Sequence, residues 1–344
     1  MAATENKPDR VVVAELPGWI RLYNDGSVDR AWTGPPQAHF LTATVPPYDS
    51  PRDGVSVLDL PADPALRLYL PSATNAGDGR HLPLLLHFHG GGFCITHPYW
   101  SMYHHFYTRL ARSAGAAVVS VVLPLAPEHR LPAAVDAAYR ALLYLRSLAA
   151  GTGAEHPVAE RLRKAADFSR VFLLGDSSGG NLVHEVAARA GAVEAGFWAP
   201  VRVAGGILLH PGFGREERSR SEVENRPTPF MSLELLDKCP AMALPMGATK
   251  DHPITWPVGE AAPALEGLRL PPLLVAVAEG DLLRDRELEY CEAMRRAGKE
   301  MEVVMSRDVG HCFFLYEELV DSEPVSASRT GELIEAIKDF VARH

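Results

Sequence analysis

The segment Gly175-Asp176-Ser177-Ser178-Gly179 sets a serine among small neighbours, just after the apolar run Val171 to Leu174 and before a helical pattern opening near Asn181. A serine on a sharp strand-to-helix turn needs such neighbours, because the backbone is strained and the helix must pack closely. The turn lifts the Ser177 hydroxyl out of the sheet, and the helix N-terminus favours negative charge developing beside it. A second segment, His89-Gly90-Gly91-Gly92-Phe93, directly follows the apolar run Leu84 to Phe88. Its glycines let backbone N–H groups approach a substrate oxygen without side chains intervening. Gly91, Gly92 and the N–H of Ser178 are therefore the candidate oxyanion donors, and Phe93 a candidate substrate contact. A phosphate-cradling loop is the rival reading, but neither G-x-x-x-x-G-K-[S/T] nor G-x-G-x-x-G spacing is present.

A hydroxyl nucleophile needs a base, and the base needs an orienting carboxylate. After Ser177, the apolar run Leu273 to Val277 leads into Ala278-Glu279-Gly280-Asp281-Leu282-Leu283-Arg284-Asp285. Asp281 falls in the turn past the strand end, where an acid can project. Asp285 reads as the start or cap of the next helix, and Glu279 sits closer to the strand. Further on, Glu302 to Met305 leads into Asp308-Val309-Gly310-His311-Cys312-Phe313, and His311 is the only histidine between Asp281 and His344. Ser177, Asp281 and His311 thus form a candidate triad for acyl transfer. It requires no metal or organic cofactor.

The elements that must position these residues follow from hydrophobic pattern. Candidate strands are Leu84 to Phe88, Ala117 to Val122, Val171 to Leu174, Ile207 to His210, Leu273 to Val277 and Glu302 to Met305, each apolar on both faces. Candidate helices include Ala133 to Leu148, Leu182 to Ala190, Arg286 to Ala297 and Ser328 to Val341. The alternation predicts βαβ units around a mostly parallel sheet in a single α/β domain spanning 1–344. Two regions break it: residues 1–48, with Trp19, Trp32, Pro35 and Pro36, and residues 212–256, with Arg215 to Arg220 and a helix-like Leu233 to Leu236. Long excursions in compact domains are usually functional. These two are expected to form a lid over a catalytic core of 49–211 and 257–344.

The remaining chemistry-bearing residues read as structural. His87 and His89 face one side of a strand, but no third metal ligand is evident, and His89 is placed to fix the glycine loop. His104 and His105 read as part of a helix near the site, and Arg215 to Arg220 as a solvated face. Cys94, Cys239, Cys291 and Cys312 show no C-x-x-C spacing and read as reduced thiols.

Taken together, the motifs resemble those of the plant class I carboxylesterases, the hormone-sensitive-lipase-like branch of the α/β-hydrolases. The resemblance spans nearly the whole chain, from Glu15-Leu-Pro-Gly-Trp-Ile-Arg through His89 to Phe93, Leu125-Ala-Pro-Glu-His-Arg-Leu-Pro, Gly175 to Asn181, Leu282-Leu-Arg-Asp285 and Gly310-His311. It implies the α/β-hydrolase fold, a serine carboxylesterase activity, a triad at Ser177, Asp281 and His311, and oxyanion donors at Gly91, Gly92 and Ser178. One departure is Leu123-Pro124, where many members read Tyr-Arg. The family also holds 2-hydroxyisoflavanone dehydratases, which share the scaffold, and gibberellin receptors, which lack the catalytic histidine that His311 supplies here.

Bulk composition narrows the partners. A net charge of -9 argues against nucleic acid or an anionic membrane surface, and the partner that the resemblance implies is a small-molecule ester. No apolar run is long enough to span a bilayer, and the N-terminal MAATENKPDR lacks the apolar centre of a signal peptide, so a cytoplasmic enzyme is expected.

Overall fold

Strands that are apolar on both faces need cover on both sides, and the architecture meets that need. The structure, a computed structural model, describes residues 10–34, 36–72, 81–194, 196–228 and 231–344. The N-terminal residues 1–9 and Pro35 lie outside the described residues. The strands are β1 (Val12–Leu16), β2 (Ile20–Tyr23), β3 (Val28–Asp29), β4 (Tyr48–Arg52), β5 (Val55–Leu60), β6 (Leu66–Pro71), β7 (Leu82–Phe88), β8 (Ala117–Val121), β9 (Ala166–Asp176), β10 (Val203–Leu209), β11 (Leu273–Ala278) and β12 (Met301–Ser306). The helices are α1 (Ser101–Ala114), α2 (Ala133–Ala149), α3 (Pro157–Ala165), α4 (Ser178–Ala192), α5 (Arg220–Glu224), α6 (Leu233–Ala243), α7 (Arg284–Arg296), α8 (Glu317–Ser322) and α9 (Pro324–Arg343).

Strands β12-β11-β10-β9-β7-β8 run parallel, and β6, β5 and β4 extend the same sheet antiparallel. Along β7 the side chains alternate between two cores. Leu84, Leu86 and Phe88 join Leu142, Leu145, Leu182 and Val186 on one face, while Leu85 joins Phe106, Leu110, Ile337 and Phe340 on the other. Helices α2 and α4 therefore cover one side, and α1 and α9 the other. Among the described residues, no helix is long and apolar enough to cross a membrane.

The six parallel strands are those expected from sequence, with ends shifted by a few residues. The antiparallel edge β4–β6 lies in the stretch to which no element was assigned. The segment before Tyr48 is not featureless either: β1, β2 and β3 form a small antiparallel sheet, and Trp19 packs edge-on against Trp32 (centroids 4.6 Å) and stacks on Trp100 (6.1 Å). Leu233 to Leu236 is only the first turn of α6, which continues to Ala243 through Pro240 and packs against β1.

Candidate active site

The β9–α4 junction is built around one strained residue. Ser177 adopts φ 50° and ψ −125°, a conformation that L side chains rarely occupy. It is held there by backbone bonds: its N–H donates to Leu209 O (2.9 Å), and its carbonyl accepts from Gly180 (2.8 Å) and Gly212 (2.8 Å). Close packing explains the glycine at 179, where a Cβ would lie 1.9 Å from Phe88 O. Only a bare backbone lets α4 start this near β7.

The acid and the histidine meet from two neighbouring strand ends. Asp281 follows β11 and His311 follows β12, and the two strands are paired in parallel register. His311 Nδ1 lies 2.6 Å from Asp281 Oδ2, with Asp281 fully buried and His311 nearly so. The Leu283 N–H donates to Asp281 Oδ1 at 2.9 Å, fixing the carboxylate plane. Burial alone would raise the Asp281 carboxyl, but the His311 charge and hydrogen bond outweigh it and hold the group below its usual range. With Nδ1 engaged by Asp281, Nε2 is the nitrogen left for a nucleophile. Ser177 and His311 line the same cavity. Asp285, the rival acid, accepts instead from the Ser221 N–H (2.7 Å), and Glu279 from the Asp308 N–H (3.2 Å). Neither is bonded to His311.

The glycine loop forms the opposite wall. Gly91 (φ 94°) and Gly92 (φ 59°) occupy left-handed backbone, and a Cβ on Gly91 would sit 2.1 Å from Ile95 O. Gly91, Gly92, Phe93 and Ser178 all border the cavity beside Ser177. The loop is tied to the turn it faces, because the Phe93 N–H donates to Ser178 Oγ at 3.2 Å. His89 braces it from behind: its Nε2 accepts from the Leu123 N–H (3.4 Å), so Nδ1 donates to Thr96 Oγ1 (3.0 Å) and Gly90 O (3.1 Å). The cavity measures about 90 Å³, and Met231, Leu235, Leu236, Cys239 and Pro240 bring the 212–256 segment over it. The described part of the N-terminal arm lines a neighbouring cavity instead, where Trp19, Arg30 and Trp32 meet Ile95 and Thr96.

Residues 85–315 match the model of a family described by its alpha/beta hydrolase fold. The chain is 35% identical over 336 residues to a probable carboxylesterase 6 of Arabidopsis thaliana, covering 96% of this chain and 91% of that one. It is 34% identical over 343 residues to a gibberellin receptor of the same plant, covering 92% and 93%. The chain belongs to the α/β-hydrolases. Among solved structures, an esterase of Pyrobaculum calidifontis superposes with a TM-score of 0.64 at 27% identity, over 84% of this chain and 86% of that one.

Several residues of this α/β-hydrolase that carry the site were given no role from sequence. Asp176 Oδ1 accepts from His87 Nε2 (2.9 Å), while Oδ2 accepts from the Gly90 N–H (3.1 Å) and the Tyr103 hydroxyl (3.2 Å). This buried carboxylate thus joins the serine turn to the glycine loop. His87 Nδ1 is satisfied by Ser120 Oγ (2.7 Å), so the His87–His89 pair is consumed by protein hydrogen bonds. His210 Nδ1 accepts from the Cys312 N–H at 2.8 Å and fixes the residue after His311; burial lowers its pKa to about 4, keeping the ring neutral. Ligand atoms of His210, His311 and Cys312 lie within 4.8 Å of one another, as do those of Asp281, Glu287 and His311. The hydrogen bonds just described already engage one ring nitrogen on each histidine. Asn181, in the first turn of α4, donates from Nδ2 to Gly212 O (3.2 Å) and Ile254 O (2.8 Å), holding both ends of the 212–256 segment. Arg215, Arg218 and Arg220 form a solvated face paired to Asp251, Glu222 and Asp237, and Glu224.

Proposed function

We propose that this α/β-hydrolase cleaves small to medium carboxylic esters through a Ser177 acyl-enzyme. The observation that carries the reading is the buried 2.6 Å contact of His311 Nδ1 with Asp281, where His311 also lines the cavity bordered by Ser177 and the Gly91-Gly92 loop. His311 takes the Ser177 proton as the oxygen attacks the ester carbonyl. Asp281 fixes the imidazole tautomer and stabilises the imidazolium. The N–H groups of Gly91, Gly92 and Ser178 hold the oxyanion. His311 then protonates the leaving alcohol, and water releases the acid.

The α6 segment serves as the lid, backed by β1 of the N-terminal arm, and Phe93 contacts the substrate. A cavity of about 90 Å³ with an apolar roof suits a short acyl group, so bulkier specialised-metabolite, xenobiotic or strigolactone-type esters need α6 to shift. Four buried free thiols support a reducing compartment, and we assign the enzyme to the cytoplasm. Hydrolysis of p-nitrophenyl acetate and butyrate tests the reading. Wild type should turn both over and react with a fluorophosphonate probe, and Ser177→Ala should lose about 10⁶-fold in kcat and all labelling. Folded wild-type protein that binds candidate ligands but neither hydrolyses nor labels would favour a dehydratase or a receptor instead.

A further inference from the structure

Helix α7 turns an apolar stripe toward the sheet, with Tyr290, Cys291 and Met294 buried at helical spacing. Glu287 occupies the first position of that stripe and is completely buried. Among the described residues no donor reaches either of its carboxyl oxygens. Yet a carboxyl oxygen of Glu287 lies within 4.8 Å of both an Asp281 oxygen and a His311 ring nitrogen. The groups that face it are Asp281 from the turn after β11, His311 and Cys312 from the loop after β12, and Arg284 and Cys291 from its own helix.

Two carboxylates this close in a dry interior do not both ionise. Asp281 has donors, the His311 Nδ1 and the Leu283 N–H, so it keeps the charge. Glu287 has none and keeps the proton. We infer that Glu287 is a positioning residue, a neutral carboxylic acid that shares its O–H with the Asp281 carboxylate and so moderates the pull of Asp281 on the His311 proton. The inference rests on reading Asp281 and His311 as triad members. Burial and the Asp281 charge both push the Glu287 carboxyl well above the usual carboxylate range, in the same direction.

The test compares Glu287→Gln, which retains a donor, with Glu287→Leu, which fills the space without one. The readout is the pH profile of kcat/KM on p-nitrophenyl butyrate. Glu287→Gln should keep the acid limb of wild type. In Glu287→Leu the undiluted Asp281 charge should hold the imidazolium more firmly, moving the acid limb up by about 0.5 to 1 pH unit. A limb that stays where wild type has it, or moves equally in both variants, overturns the inference. Difference infrared spectroscopy gives a second readout that needs neither turnover nor the Leu variant. A protonated-carboxyl C=O band at pH 8, present in wild type and absent in Glu287→Gln, supports the assignment; no such band refutes it. Failure of the esterase reading would appear separately, as wild type without turnover or probe labelling.

Discussion

Asp281→Asn exchanges one oxygen for an NH₂ group, and the neighbouring hydrogen bonds dictate where that group goes. The Leu283 N–H points at the Oδ1 position from 2.9 Å and demands an acceptor there, so the amide oxygen takes that place. The NH₂ group then faces His311 Nδ1 across what was a 2.6 Å contact. Two donors cannot share that gap, so Nδ1 must give up its proton and accept. The imidazole proton moves to Nε2, the atom that has to receive the proton of Ser177. The alternative flip restores the tautomer but sets two donors against each other at Leu283. An enforced wrong tautomer lowers kcat about 10⁴-fold, or about 5.4 kcal/mol of transition-state stabilisation. The assay is steady-state hydrolysis of p-nitrophenyl butyrate near neutral pH, with circular dichroism to show an intact fold. Asp285→Asn is the control and should stay within about threefold of wild type, since Asp285 serves the Ser221 N–H instead. If folded Asp281→Asn keeps a tenth or more of wild-type kcat, the orienting carboxylate has been misidentified.

Further outcomes follow from other parts of the structure. Gly91→Ala puts a Cβ 2.1 Å from Ile95 O at φ 94°, so the loop must move and forfeit an oxyanion donor; kcat should fall about 10²- to 10³-fold with KM little changed. Leu236→Ala opens the roof of the cavity and should shift chain-length preference from acetate towards hexanoate by about 10-fold or more, read from the kcat/KM ratio. Acid should destabilise the fold through its buried histidines. Burial holds His89 at about 3 and His184 and His210 at about 4, whereas unfolded histidine titrates near 6.5. The unfolded chain therefore binds protons that the native state refuses. Stability is fully present above about pH 6.5 and is lost as pH falls towards 4, by roughly 2 kcal/mol per histidine at pH 5. Urea titrations across that window measure the slope, and replacing His184 with an apolar residue should flatten it.

What could be read from the sequence divides along physical lines. The central parallel strands were legible because burial on both faces writes an unbroken apolar run, as at Leu84 to Phe88 and Leu273 to Val277. Strands β4 and β5 resisted because an edge mixes polar residues and turns into a short run: Asp49, Pro51 and Arg52 sit in one, and Asp59 in the other. Helix α6 runs on to Ala243, beyond the expected Leu236, because its apolar run breaks at Asp237 and Lys238 while the helical backbone continues through Pro240. Ser177, Asp281 and His311 could be singled out because their order and their places after strand ends are local facts. The roles of Asp176 and His210 were not, since each depends on a partner far away in the chain, Gly90 and Cys312 respectively. Glu287 did leave a trace, an acid on an apolar helical stripe.

The grip of Asn181 on Gly212 O and Ile254 O has a consequence for how such enzymes diversify. One carboxamide, rooted in the helix turn that follows Ser177, staples the stem of the excursion shut. The chain between those two carbonyls is tied a second time, to the acid turn, where Asn225 Nδ2 donates to Asp281 O (2.6 Å) and Ser221 Oγ to Leu282 O (2.7 Å). A new sequence there leaves the Asp281 turn in place only if it keeps those ties, so the excursion diversifies around Ser221 and Asn225 rather than through them.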